Sequence, residues 1–187
     1  MKGRFIVLEG PDGSGTTTHA ALLAEALQRE GRDVLLTMEP SDGPIGRSIR
    51  DILQGNTLPS AEGVQLLFTA DRASHVADVI RPALEAGKVV VCDRYAPSTV
   101  AYGSALGLDS AWLSNLNSVF PQPDATFLLL PPLEVCLERM MKRKSQDLFE
   151  ERAFQQKVHT AYEDIADRKS TRLNSSHIQK SRMPSSA

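Results

Sequence analysis

Gly10-Pro11-Asp12-Gly13-Ser14-Gly15-Thr16-Thr17-Thr18 stands between an apolar run, Phe5-Ile6-Val7-Leu8, and an amphipathic stretch that starts at Thr16. A strand that passes through a glycine-rich loop into a helix is phosphate-binding architecture. Gly13 and Gly15 carry no Cβ, so the backbone can bend and bring its N–H groups close to a polyphosphate. The helix that follows adds free N-terminal donors and the positive end of its dipole. Thr17 occupies the Ser/Thr position of the pattern G-x-x-x-x-G-K-[ST], where a hydroxyl can ligate Mg²⁺. One position departs from that pattern. Thr16 stands where Lys is expected, and losing one well-placed transition-state donor costs about 3 to 4 kcal/mol.

The 187 residues suit one domain with a real core. Cys92 and Cys136 are the two cysteines, far apart and in apolar surroundings. They read as reduced buried thiols rather than a disulfide or metal site, which fits a cytoplasmic protein. The apolar run after Met1-Lys2-Gly3-Arg4 is too short for a signal peptide, and no run approaches membrane-spanning length. The net charge of −2 conceals an asymmetry, because residues 168–187 hold five basic residues and no acidic ones. The body of the chain is therefore acidic, with 16 basic against 23 acidic residues. That balance argues against nucleic-acid binding.

Apolar runs alternate with helical patterns, which predicts βαβ units and an α/β fold with a mainly parallel sheet. The expected strands are Phe5–Glu9, Asp33–Met38, Lys88–Cys92 and Ala125–Leu130. The expected helices are Thr16–Glu30 with Gly31 as its stop, Pro44–Leu53, a long segment Ser60–Ala86 broken near Pro82, Leu133–Arg143 and Glu151–Asp167. From Arg168 onward six serines and scattered apolar residues show no periodicity, so disorder is expected there and a sheet strand is not.

Asp93-Arg94-Tyr95 follows directly on the third expected strand, at the end where open α/β sheets place their ligands. The planar fork of Arg94 suits phosphate, and Asp93 can position it or a Mg²⁺-bound water. Phe68 and Arg72, four apart, share a helix face. They fit a base-stacking platform with a hydrogen-bonding edge, or a core Phe beside a solvated Arg. The residues alone favour the second.

Taken together, these stretches resemble the thymidylate kinases of the P-loop nucleoside monophosphate kinase group. The matching segments are Glu9 to Thr18, Thr37 to Pro40, Ile49-Arg50, Leu66 to Arg72, Lys88 to Tyr102 and Pro123 to Thr126. The resemblance covers most of residues 4–167 and implies a P-loop NTPase three-layer sandwich with helices on both faces and a short lid. It implies transfer of the ATP γ-phosphoryl group to dTMP, with Mg²⁺ held in part by Thr17. Gly10 through Thr18 (Gly10, Pro11, Asp12, Gly13, Ser14, Gly15, Thr16, Thr17 and Thr18) would bind ATP. Phe68 would stack on thymine, and Arg72 would bond its carbonyl edge. Arg94, with Arg50 in support, would hold the acceptor phosphate. Asp12, Glu39 and Asp93 would line the sugar and phosphate end, Thr99 would lie near the base, and Tyr102 would select deoxyribose. Arg139, Lys142, Arg143 and Lys144 fall in the region resembling the lid, so Asp12, Arg94, Arg139 and Arg143 form the expected catalytic set. A homodimer is implied, with no membrane or nucleic-acid partner.

Three further positions and the end of the chain depart from the family pattern beside Thr16. Gly103 occupies a position where many members carry Gln, Met38 one where many carry Arg, and Leu130 one where Asp or Asn often ends the fourth strand. The last twenty residues do not match the family and look foreign, like translated adaptor sequence. The expectation is therefore a kinase-like domain over 1–167, a non-native-looking tail over 168–187, and a sheet that lacks its fifth strand.

Overall fold

A computed structural model describes residues 3–55, 59–143, 152–170 and 177–181; in 168–170 and 177–181, and at Arg143, it describes the backbone alone. Among the described residues five strands, all parallel, lie in the order β2-β3-β1-β4-β5. They are β1 Arg4–Glu9, β2 Val34–Met38, β3 Val89–Asp93, β4 Ala125–Leu129 and β5 His177–Ser181. The connecting helices are α1 Thr16–Arg29, α2 Pro44–Gln54, α3 Ala61–His75, α4 Arg81–Glu85, α5 Ala96–Ala105, α6 Ser110–Asn117, α7 Leu133–Arg143 and α8 Arg152–Ser170. The order reverses beside β1, which places the ends of β1 and β3 at a crevice where α/β sheets bind ligands. The register sets Leu8 opposite Asp93, so the phosphate-loop end of β1 and the Asp-Arg-Tyr end of β3 are level.

Successive strand residues face opposite sides of the sheet, and both sides are apolar. Phe5, Val7, Val90 and Cys92 pack against Val76 and Ile80 on one side. Leu8, Val89 and Val91 pack against Ala20, Leu23 and Leu27 of α1 on the other. A separate cluster joins α5 to α8 through Ala101, Ala105, Val158, Tyr162 and Ala166. Helices thus cover both faces, as the alternation of patterns predicts.

The break in the long helical segment lies earlier than Pro82 alone suggests. Residues Val76–Ile80 wind as a π-helix between α3 and α4, and the Arg81 N–H bonds the Val76 carbonyl five residues back. The wider turn delivers Pro82 to the start of α4, where its missing N–H costs little. Helices α5 and α6 were not expected. α6 starts at an N-cap, with Asp109 accepting from the Ala111 N–H at 2.8 Å.

The missing fifth strand is a corrected expectation. His177–Ser181 pairs in parallel with Ala125–Leu129, and α8 itself continues to Ser170. Strand pairing is carried by main-chain N–H and C=O groups, so a segment without apolar alternation can still cover a sheet edge.

Candidate active site

The loop between β1 and α1 is shaped by glycine. Gly15 has φ 94°, in the left-handed region, and directly precedes the first helical residue. At Gly13, φ 77°, a Cβ would lie 2.4 Å from the Cys136 carbonyl oxygen, so α7 rests against the loop backbone. Thr16 is buried as the first residue of α1. Next to it, the Thr17 hydroxyl donates to Asp93 Oδ2 at 2.5 Å, tying the new helix to the end of β3. The other oxygen, Asp93 Oδ1, is buried and has no hydrogen-bond partner among the described residues. A hydroxyl and a carboxylate oxygen together are the hard donors that Mg²⁺ takes alongside substrate phosphates and water.

From α7, Arg139 reaches the outside of the same loop, where Nη1 donates to the Gly13 carbonyl at 3.2 Å and the Ser14 carbonyl at 3.4 Å. Lys142 is exposed and pairs with Glu138 at 2.6 Å. The side chain of Arg143, and Lys144, lie outside the described residues.

Across the loop is a cavity lined by Asp12, Glu39, Phe68, Arg72, Arg94, Thr99 and Tyr102, with Pro40, Leu53, Gln65, Tyr95 and Ser98. Arg94 sits at the junction with the phosphate loop. Its φ of 69° is the one positive value at a non-glycine residue among those described. That turn sends Nη2 to Asp12 Oδ1 at 2.6 Å and Nη1 to the Tyr102 hydroxyl at 3.2 Å. Burial pushes the Tyr102 hydroxyl pKa well up, so it stays protonated at neutral pH. Arg50 is placed beside this cavity, donating to the Pro40 carbonyl at 2.8 Å and pairing with Asp42 at 3.2 Å.

At the far end Arg72 is 1% exposed and held on several sides. Nε and Nη2 bond Glu39 Oε2 at 2.9 and 2.7 Å. Nη1 donates to Thr99 Oγ1 at 3.0 Å and to Asn117 Oδ1. The Tyr95 ring lies beneath its guanidinium at 5.0 Å, a cation–π stack. Glu39 also accepts His75 Nδ1 at 3.2 Å, and His75 Nε2 meets Thr37 Oγ1 at 2.7 Å. Glu39 is thus engaged with Arg72 and His75, although it lines the cavity wall.

Beneath the site, Glu9 is fully buried and gathers donors from two helices. The N–H groups of Tyr95 and Ser98, the Ser98 hydroxyl and the Tyr162 hydroxyl all converge on its carboxylate, at 2.7 to 3.3 Å. Burial still outweighs them and raises its pKa.

Known proteins match the chain over nearly its whole length. The sequence model described as thymidylate kinase matches residues 8–182. A probable thymidylate kinase of Pyrococcus abyssi is 47% identical over 173 residues, covering 89% of this chain and 84% of that protein. The thymidylate kinase of Thermomicrobium roseum is 45% identical over 174 residues, covering 88% and 81%. The chain belongs to the thymidylate kinase family. The crystal structure of the Ehrlichia chaffeensis thymidylate kinase superposes with a TM-score of 0.75 at 30% identity, covering 96% of this chain and 93% of that one. The α/β sandwich of the phosphate-loop NTPases is therefore the fold, and the family match runs past the boundary expected at residue 167.

Within this thymidylate kinase fold, the sequence reading left out several residues that shape the site. Tyr95, Asn117 and His75 hold Arg72 and Glu39, and Gln65 and Ser98 line the cavity. Tyr95 had a signal, standing beside Arg94 at the end of β3. Gln65 had one too, since positions 65, 68 and 72 recur on one helix face. Asn117 gave none, because α6 was not expected. At Gly103 a Cβ would meet Leu113 Cδ1 at 2.6 Å, so Leu113 fills the space a longer side chain there would need.

Proposed function

We infer that this protein is an ATP-dependent dTMP kinase, transferring the γ-phosphoryl group of ATP to dTMP to give dTDP. The observation that carries the reading is the junction at Arg94. One guanidinium touches Asp12 of the phosphate loop and Tyr102 of the cavity, which supports a reading in which a donor and an acceptor phosphate meet at that residue. In this reading the acceptor base lies on Phe68 beside Arg72, with Thr99 near it. Tyr102 crowds the sugar, while Arg94, supported by Arg50, holds the acceptor phosphate. Residues 10–18 wrap the ATP phosphates, and Asp12 orients Arg94.

The pairing of Thr17 with Asp93 and the unpartnered Asp93 oxygen fit Mg²⁺ bound with ATP. The ion would supply charge neutralisation at the phosphates. Arg139 stands ready at the loop, and Arg143 belongs to the same helix, so both can bring positive charge to the transferring group as water is excluded. No helix of the described residues is long and apolar enough to cross a membrane. The reading adds a cytoplasmic location, a homodimer and a catalytic unit contained in residues 1–167.

Thr16 favours a second reading, a nucleotide-binding family member with impaired catalysis. The test for both is ATP- and Mg²⁺-dependent formation of dTDP by the purified chain, with dUMP, dCMP, dGMP and dAMP alongside. Turnover confined largely to dTMP supports the kinase reading. Binding of dTMP without turnover supports the second, and absence of both overturns the assignment.

A further inference from the structure

Gln65 is 1% exposed and lines the acceptor cavity, yet both polar atoms of its carboxamide, Oε1 and Nε2, lack a hydrogen-bond partner among the described residues. Native proteins seldom bury an amide in that state, because an unmet donor and acceptor forfeit the bonds they had in water. Its place on α3 is specific. Residues 65, 68 and 72 share one face, so the carboxamide stands one turn before Phe68 on the side away from Arg72.

The neighbouring groups cannot do what this amide can. Arg72 only donates, and its donors are largely taken by Glu39, Thr99 and Asn117. A pyrimidine dione edge alternates carbonyl acceptors with an N3–H donor, so it needs an acceptor beside a donor. A carboxamide presents that pair in one plane.

We propose that Gln65 is a specificity-determining residue of the acceptor site, with Oε1 accepting the base N3–H and Nε2 donating to an adjacent base carbonyl. This rests on the dTMP reading of the cavity and deepens it. Arg72 then contributes its remaining donor to one carbonyl, and Gln65 supplies the acceptor that the guanidinium lacks. The empty bonds of the free protein are completed by the substrate, which makes the pair stronger in the complex than in the apo cavity.

The test uses equilibrium titration with dTMP and with N3-methyl-dTMP, in which the N3–H is replaced by a methyl group. The wild-type chain is expected to bind dTMP at least about tenfold more tightly, the size of one buried hydrogen bond. Gln65→Ala removes the amide and opens room for the methyl, so the ratio should collapse to within about threefold. Gln65→Met keeps the volume and should cost dTMP about tenfold more than it costs N3-methyl-dTMP, which has no N3–H for Oε1 to accept. Thermal unfolding identifies any variant that fails to fold, and the conservative Met variant then carries the test. An unchanged ratio in the variants, or equal losses for both nucleotides, would overturn the role of Gln65. Failure of the wild-type chain to bind dTMP at all would overturn the acceptor assignment, and this proposal with it.

Discussion

On the proposed reading the site has a base end and a phosphate end, and the two are built by different means. The base end is fixed by side chains already paired with one another: Arg72 is gripped by Glu39, Thr99, Asn117 and the Tyr95 ring before any ligand arrives. The phosphate end is mostly backbone, a glycine loop and a helix start, with Thr16 where the pattern calls for a cation. Buried side-chain networks are sensitive to losing one partner, whereas backbone donors survive most substitutions. On the proposed reading, acceptor recognition is prebuilt in this chain, while the charge that drives transfer is the variable part.

The sharpest way to break the base end is Glu39→Ala. It strands the Arg72 guanidinium in a dry setting, and removing one partner of a buried pair costs about 3 to 5 kcal/mol. Urea unfolding should show that loss, and retained stability would mean the pair is not buried as described. At the phosphate end, Thr16→Lys restores the missing cation. Turnover of dTMP should rise by about 10² or more, the inverse of removing a transition-state donor. No gain would mean that Arg139, resting on the Gly13 and Ser14 carbonyls, or another residue already supplies the charge.

Thr17→Val leaves Asp93 Oδ2 without its donor and removes a hydroxyl from the position proposed for the ion. The Mg²⁺ concentration giving half-maximal rate should rise by about tenfold to a hundredfold, as for other supporting residues of metal sites. The smallest effect concerns Glu9 and pH. Its folded pKa lies above the ordinary 4.5, so the folded chain keeps a proton that the unfolded chain has already released. Stability from this group is full below about 4.5 and is lost as pH rises through the raised folded value. Unfolding free energy followed against pH should therefore carry a downward step that Glu9→Gln, which cannot ionise, removes.

The phosphate end was readable from sequence because its signals are local. Gly13, Gly15 and the apolar runs on either side lie within one short stretch, and β1, α1 and α7 follow the expected ranges closely. The base end was readable only in part. Phe68 and Arg72 share a helix face, but the hydrogen-bond partners that fix Arg72 come from residues 27 to 45 positions away, which no periodicity connects. Helix α5 escaped notice because it is made largely of small residues, Ala96, Ser98, Ala101, Gly103, Ser104 and Ala105, that let α8 and Leu113 approach closely without an apolar stripe. Strand β5 escaped because pairing with β4 is a main-chain matter and His177–Ser181 has little apolar character.

The independence of the two ends is tested most directly by titrating dTMP into the wild-type chain and into Thr16→Lys, with dTDP formation measured on the same samples. Equal dTMP affinity in both proteins, with the difference confined to turnover, is the predicted result. A dTMP affinity that changes with residue 16, or that is absent from the wild-type chain, would contradict the account.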